Sequence, residues 1–336
     1  MFGWEDLKDK IEIENDTIVC PVRECSNRVR KIDKKFLNLI DSCLEKKQPV
    51  REKFSQYFCP NHRIFITPTT FIYEDFRENL FWKNKEDIIL IKEICKYKRV
   101  KAQLHHNNSE DAITWNVFRY LEKNNLLQKV FEKISGLEIK NPEIIYWFYS
   151  SLQKNEWKYL KQAKKEFGED LKHGSEPDLI IRSANVLFFV EAKLQATNET
   201  SPKNPKGIKK YLEGGNNWFE KVFLSDCETV AIKEKRYELM RFWLLGTWIA
   251  RQLNLDFYLV NLTLSENEKD IEERFKPFLK ETPRRKFVRI VWEDIYGYIL
   301  NSEGTGKDKL LHYFKNKTMG YNSQGRIQKL FSIRKI

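Results

Sequence analysis

The stretch EPDLIIRSANVLFFVEAKLQ, residues 176–195, consists of two apolar runs with ionisable residues at their outer ends. Asp178 precedes the first run, and Glu191 and Lys193 close the second. Between the runs, residues 183–186 are of types that are common in tight turns. A stretch that served only to build a core would have no reason to hold charges at these positions. The pattern therefore predicts a β-hairpin with a charged end.

The position of the turn determines which residues of this hairpin face each other. If the turn centres between Ala184 and Asn185, Asp178 lies directly opposite Glu191, and Lys193 shares their face. Two carboxylates with Cβ atoms about 4.5–5.5 Å apart repel each other unless a cation lies between them. An all-oxygen pair suits a hard divalent ion such as Mg²⁺. The alternative is a salt-bridged hairpin end, in which Lys193 neutralises one acid.

The spacing of these residues also points to a known family. Glu176-Pro177-Asp178, twelve intervening residues and then Glu191-Ala192-Lys193 resemble the signature of the PD-(D/E)xK nucleases, the restriction-endonuclease-like superfamily. The resemblance implies an α/β fold with a mixed central sheet flanked by helices. It also implies a phosphodiester hydrolase that uses one or two Mg²⁺ or Mn²⁺ ions.

The same resemblance assigns roles to individual residues. Asp178 and Glu191 would be metal ligands, and Lys193 would be the catalytic lysine that assists the attacking water. An acid on the first core helix often completes such sites. Glu110 is the residue that matches, because it lies in the first turn of a predicted helix with Asn108 or Ser109 as its cap.

The chain on either side of the hairpin predicts alternating helices and strands. A second helical pattern is expected from Leu126 to about Leu152. After the hairpin we expect a long apolar helix over residues 233–253, strands at 257–264 and 287–292, and a closing helix. This order predicts an α/β protein with a mixed sheet. We expect a nuclease core with a basic tail over 98–336, and a separate, mainly helical domain over 1–97.

Two pairs of metal-binding side chains lie in the predicted N-terminal domain. Cys20 and Cys25 form the first pair, and Cys59 and His62 form the second. Both spacings are typical of a tetrahedral zinc site, and four protein ligands would make that site structural. The long spacer implies a helical insertion between the two pairs. Ordinary reduced thiols are the alternative, and the zinc unit could either position DNA or hold its domain together.

Composition restricts the partners that we expect. A formal net charge of +12 favours a polyanion, for which DNA is our prediction and RNA is not excluded. The chain has six cysteines and no long apolar run, so we expect a cytoplasmic protein that does not enter a membrane. The resemblance implies an endonuclease of prokaryotic restriction, phage defence or a mobile element, with a homodimer or protein partners plausible. The alternative is a non-cleaving nucleic-acid-binding or assembly module on the same fold.

Overall fold

The computed structural model describes residues 1–32, 34–45, 48–98, 102–171 and 176–331. It divides into two compact units. The first comprises Met1–Asn84, Gln103–Val117 and the segment that begins at Glu303. The second comprises Lys85–Ala102 and Phe118–Ser302. The predicted domain boundary between residues 97 and 98 stays a prediction, because compact units need not be domains that fold independently.

The regular elements are numbered in chain order. Helices α1 to α11 span Lys34–Glu45, Val50–Lys53, Lys85–Tyr97, Glu110–Lys123, Leu127–Ser135, Lys158–Glu166, Lys210–Val222, Tyr237–Leu253, Ile271–Phe275, Trp292–Leu300 and Lys307–Asn316. Strands β1 to β14 span Thr17–Val19, Arg28–Arg30, Phe58–Cys59, Ile64–Ile66, Phe71–Tyr73, Glu143–Tyr146, Tyr149–Ser150, Asn155–Glu156, Leu179–Arg182, Val186–Ala192, Asp256–Thr263, Arg285–Val291, Thr318–Tyr321 and Ile327–Lys329.

A mixed sheet forms the centre of the second unit. Its strands lie in the order β12-β11-β10-β9-β6-β7-β8. Strands β10, β11 and β12 are parallel to one another, and the other neighbours are antiparallel. The predicted α/β fold with a mixed central sheet flanked by helices is confirmed.

Helices cover both faces of the central strands. Phe189 belongs to the large core that also contains helix α8, in which residues 239–250 are all buried. Phe188 points the other way, and its ring centroid lies 4.8 Å from that of Phe131 on α5. Because both faces of β10 are covered, its apolar residues form an unbroken run instead of alternating with polar ones.

The hairpin of β9 and β10 has the predicted register. Leu179 pairs with Val190, and the connection occupies residues 183–185. The next position beyond this pair sets Asp178 opposite Glu191. The location of the turn, predicted from the residue types there, is therefore confirmed.

The helix predicted from Leu126 to about Leu152 is wrong in its second half. Helix α5 ends at Ser135 and is followed by Gly136, whose φ of 72° is left-handed. After Pro142 the chain forms β6, which pairs antiparallel with β9. Glycine is favoured after a helix end and proline disfavours its continuation, so these residues were the available signals. Strand β6 supplies a neighbour for β9 that the sequence pattern did not reveal.

The first unit combines short sheets with short helices. Strands β3, β4 and β5 form one sheet, while β1 with β2 and β13 with β14 form two-stranded ribbons. Helices α1 and α2 lie between β2 and β3, which confirms the predicted helical insertion between the two pairs of predicted zinc ligands. At the start of α4, Ser109 Oγ accepts a hydrogen bond from the Ala112 N–H at 3.1 Å and caps the helix, as expected.

None of the described helices has both the length and the apolar character that crossing a membrane requires.

Candidate active site

Two carboxylates meet at the end of the β9–β10 hairpin. Asp178 directly precedes β9, and its Oδ2 accepts a hydrogen bond from the Ala192 N–H at 2.8 Å. The Asp178 carbonyl accepts a second bond from the Trp147 N–H, at the end of β6, at 3.0 Å. Glu191 lies near the end of β10 and is buried. The strands on both sides of β9 thus hold Asp178 against Glu191.

One oxygen of Glu191 has an unusual environment. Its Oε2 is buried and has no hydrogen-bond partner among the described residues. Burial raises the pKa of Glu191 well above its usual range, and the charges of Asp178 and Glu238 add to this effect, while Lys193 opposes it. A buried acceptor without a donor is costly, so this atom is suited to contact a cation.

Lys193 joins the acids on the same face of the hairpin. Its Nζ lies 2.5 Å from Glu191 Oε1 and 3.6 Å from Glu238 Oε2. Burial disfavours the ammonium, but the carboxylates of Glu191 and Glu238 outweigh it and raise the pKa of Lys193. The lysine is therefore a cation at neutral pH, held between two acids.

The acid Glu238 was not predicted from the sequence. It lies in the first turn of α8, where its N–H donates to Thr200 Oγ1 at 2.9 Å. A polar pair, Tyr237 and Glu238, begins a helix that is otherwise apolar nearly all round. Acids are preferred in the first turn of a helix. An acid in the first turn of a mostly apolar helix was therefore the signal available in the sequence.

Polar residues continue across the sheet from Glu191. In the parallel register, Asn261 of β11 is the neighbour of Glu191, and Arg289 of β12 is the neighbour of Asn261. Asn261 Oδ1 accepts a hydrogen bond from Asn198 Nδ2 at 2.8 Å, and Asn198 also binds Glu268. This network fixes the chain that follows the hairpin beside the acidic site.

The fourth predicted residue, Glu110, lies in the first turn of α4. It belongs to the first unit, whereas Asp178, Glu191 and Lys193 belong to the second. Its role as a third metal ligand stays a prediction.

The four predicted zinc ligands come together in the first unit. Cys20 and Cys25 lie in the connection between β1 and β2, and Cys59 and His62 lie at the turn between β3 and β4. Their ligand atoms all lie within 4.8 Å of one another. A hydrogen bond with Cys20 lowers the pKa of Cys59 to about 4, and bonds from Asn27 and His62 contribute.

A tetrahedral zinc ion requires particular distances between its ligand atoms. Zinc bonds of about 2.3 Å to sulfur and about 2.0–2.1 Å to nitrogen imply tetrahedral edges of about 3.8 Å between sulfurs and about 3.6 Å between sulfur and nitrogen. Cys25 Sγ and Cys59 Sγ are 3.8 Å apart. His62 Nδ1 lies 3.6 Å from Cys20 Sγ and 3.5 Å from Cys59 Sγ. The donor set and its spacing therefore fit a tetrahedral zinc ion.

One of three comparisons with known proteins identifies a family. A search of curated proteins finds no match, and a search of solved structures finds none either. A family model described as "Restriction Endonuclease associating with ARP" matches residues 47–318, which is most of the chain and includes the whole acidic site. The chain therefore belongs to this restriction-endonuclease family.

Proposed function

We propose that the protein is a Mg²⁺- or Mn²⁺-dependent endonuclease that hydrolyses phosphodiester bonds in DNA. One observation carries the proposal: the hairpin register sets Asp178 opposite Glu191, with Lys193 on the same face. Membership of a restriction-endonuclease family supports it. The corresponding biological setting is prokaryotic restriction, phage defence or a mobile element.

Asp178 and Glu191 would hold the divalent ion, and Glu110 is the candidate for a third ligand. The free Glu191 Oε2 supports this assignment, because a cation would satisfy an acceptor that no described residue satisfies. When bound, Mg²⁺ would neutralise phosphate charge and make a water more acidic. It commonly binds through one or two carboxylates and keeps several waters, so two protein acids suffice.

The residues of the chain contribute orientation and charge. The Ala192 N–H fixes the Asp178 carboxylate, and burial on the sheet fixes Glu191. The Lys193 ammonium can hold the attacking water or stabilise negative charge that develops on the phosphate. The N-terminus of α8 carries a partial positive charge, which also favours binding of a phosphate.

Overall charge supports a nucleic acid as the substrate. The chain carries 60 Lys and Arg against 48 Asp and Glu. Such an excess attracts polyanions and raises their rate of association. We favour DNA over RNA as the substrate because the matching family is one of restriction endonucleases.

The Cys/His cluster is proposed to be a structural zinc site. Cys20, Cys25, Cys59 and His62 would occupy all four positions of a tetrahedral ion, which leaves none for a substrate. The zinc would join the β1–β2 connection to the β3–β4 turn.

We also propose protein partners. The name of the family refers to association with ARP, so an ARP protein is the first candidate. Enzymes that cut both strands of DNA in one binding event usually use two active sites, and a homodimer would supply them. The six cysteines, all of which lie among the described residues, form no disulfide, which fits the proposed reducing cytoplasm.

Plasmid cleavage tests the proposed activity. Wild type should cut DNA in Mg²⁺ but not in EDTA. Asp178→Ala should lose at least about 10²-fold in rate, because it lacks half of the carboxylate pair. The matched control is Asp294→Ala, an exposed acid in the first turn of α10, which should cleave like wild type.

The second candidate is a non-cleaving nucleic-acid-binding or assembly module. The observation that favours it is the close ion pair between Lys193 and Glu191, since a lysine alone can neutralise a hairpin end. Tight DNA binding without metal-dependent cleavage of any DNA or RNA would establish this alternative and end the nuclease proposal.

A further inference from the structure

Lys193 has two carboxylate partners on different elements. Glu191 is its neighbour on the hairpin, and Glu238 reaches it from the first turn of α8. The Glu191 side chain is 4% exposed, whereas those of Lys193 and Glu238 are 13% and 14% exposed. The ammonium therefore lies between a buried acid and a more accessible one.

The position of Glu238 is fixed by its helix. Arg241, three residues further along α8, makes a two-point contact with Glu169, with Nε–Oε1 of 2.8 Å and Nη2–Oε2 of 2.7 Å. Tyr211 donates to the same carboxylate at 2.9 Å. Buried two-point pairs of this kind restrict geometry strongly. The first turn of α8 is thus held in place independently of Lys193.

We propose that Glu238 is a positioning residue that takes over the Lys193 ammonium when Glu191 binds the catalytic cation. This inference rests on the proposed function. Glu191 cannot serve a lysine and a divalent ion equally well, because the two cations repel each other at short distance. Glu238 supplies a second carboxylate within ion-pair distance, so the ammonium keeps a partner and stays near the reaction centre.

Metal affinity tests the proposed exchange of the Lys193 partner. Binding of Mn²⁺ to the full chain is measured by titration calorimetry, and Asp178→Ala defines the signal of the acidic site. Glu238→Gln should weaken this binding about 10- to 100-fold, the range for residues that orient metal ligands, because Lys193 then keeps Glu191 for itself. Glu213→Gln, an exposed acid on α7, is the control and should bind like wild type.

A second background separates positioning from direct ligation. In Lys193→Met, Glu191 has no lysine to release, so adding Glu238→Gln should change Mn²⁺ affinity within about twofold. An equal loss in both backgrounds would mean that Glu238 acts on the ion itself and would overturn the proposal. Unchanged affinity in the single variant would overturn it as well.

A conservative replacement of Glu238 tests whether the charge alone restores Mn²⁺ binding, and it serves as a second variant if the first does not fold. Glu238→Asp keeps the charge and should bind Mn²⁺ more tightly than Glu238→Gln but less tightly than wild type. If Glu238→Gln fails to fold, this variant carries the test, and wild-type affinity in it would overturn the proposal. If wild type itself shows no Asp178-dependent Mn²⁺ binding, the proposed function fails together with the inference.

Discussion

The two units stabilise their folds in different ways. The second unit packs a large apolar core against a seven-stranded sheet and contains the buried ion pairs Lys164–Glu176 and Arg241–Glu169. The first unit divides its apolar residues between smaller clusters and contains the Cys/His cluster. It also buries Lys317, which has no carboxylate partner among the described residues. We therefore predict that the first unit depends on the proposed zinc ion and the second on packing.

Removal of the proposed zinc ion is expected to have the largest effect and to act on the first unit. Structural zinc contributes on the order of 10 kcal/mol to folding. Cys59→Ser should therefore lose zinc and amide protection over residues 17–30 and 58–66, while the sheet of the second unit stays protected. Hydrogen exchange and metal analysis measure both. Cys95→Ser, outside the cluster, is the control. Amide protection of these residues that survives in zinc-free protein would show that the first unit does not depend on zinc.

The buried lysine of the first unit predicts a dependence on pH. Burial lowers the pKa of Lys317 to about 7, against about 10.4 for an unfolded lysine. Between these values the unfolded state binds more protons, so the free energy of unfolding rises with pH, by up to about 5 kcal/mol in total. Below pH 7 both states are protonated, and the full cost of the buried charge remains.

Lys317→Met tests this pH dependence. The variant should be more stable than wild type at pH 6 and should lose the rise between pH 7 and 10. Denaturant unfolding at several pH values measures the effect. Lys315→Met, which changes an exposed lysine on the preceding helix, should keep the wild-type profile. A Lys317→Met profile that still rises by the wild-type amount would contradict the prediction.

Breaking a buried ion pair of the second unit is expected to cost as much stability as the buried charge of Lys317, or less. Arg241→Leu leaves Glu169 buried without its main partner, which should cost about 3–5 kcal/mol. Adding Glu169→Leu should recover most of this loss, because no charge then remains to be buried. Arg274→Leu removes a half-exposed ion pair on α9 and should cost less than about 1 kcal/mol. An unstable double variant would show that the pair does more than neutralise charge.

The smallest expected effect concerns packing between α8 and the sheet. A Cβ at Gly246 would lie 2.1 Å from the Phe257 ring, so Gly246→Ala should destabilise by about 1–3 kcal/mol. Gly297, inside α10, has open space, and Gly297→Ala should stabilise by about 0.5–1 kcal/mol. Thermal unfolding compares the two variants. A neutral Gly246→Ala would mean that the core yields more easily than its packing indicates.

The hairpin was predictable because local rules determine it. Turn residues located the connection, and the period of two then set Asp178 opposite Glu191 and Lys193 on their face. The Cys/His cluster was predictable for a similar reason, since each ligand pair is close in sequence. The hairpin and each ligand pair are short segments, whereas the meeting of the two pairs depends on the fold of the chain between them.

Features that depend on long-range packing were harder to predict. Strand β6 is a short apolar segment, and length and periodicity do not distinguish such a segment from part of a helix. Its partner β9 lies more than 30 residues away, and only the pairing with β9 decides that this segment is a strand and not part of a helix. Glu238 reaches Lys193 from a helix 45 positions further along the chain. No spacing rule connects the two.

The register of the hairpin implies that its loop and its two arms differ in their tolerance of inserted residues. A residue added within 183–185 only lengthens the loop and leaves the pairing of Leu179 with Val190 in place. A residue added inside either arm would turn one acid to the opposite face of the sheet. Distant relatives should therefore differ in the number of residues between the two acids, but only through the loop. A search for them should allow a variable turn between two arms of fixed length.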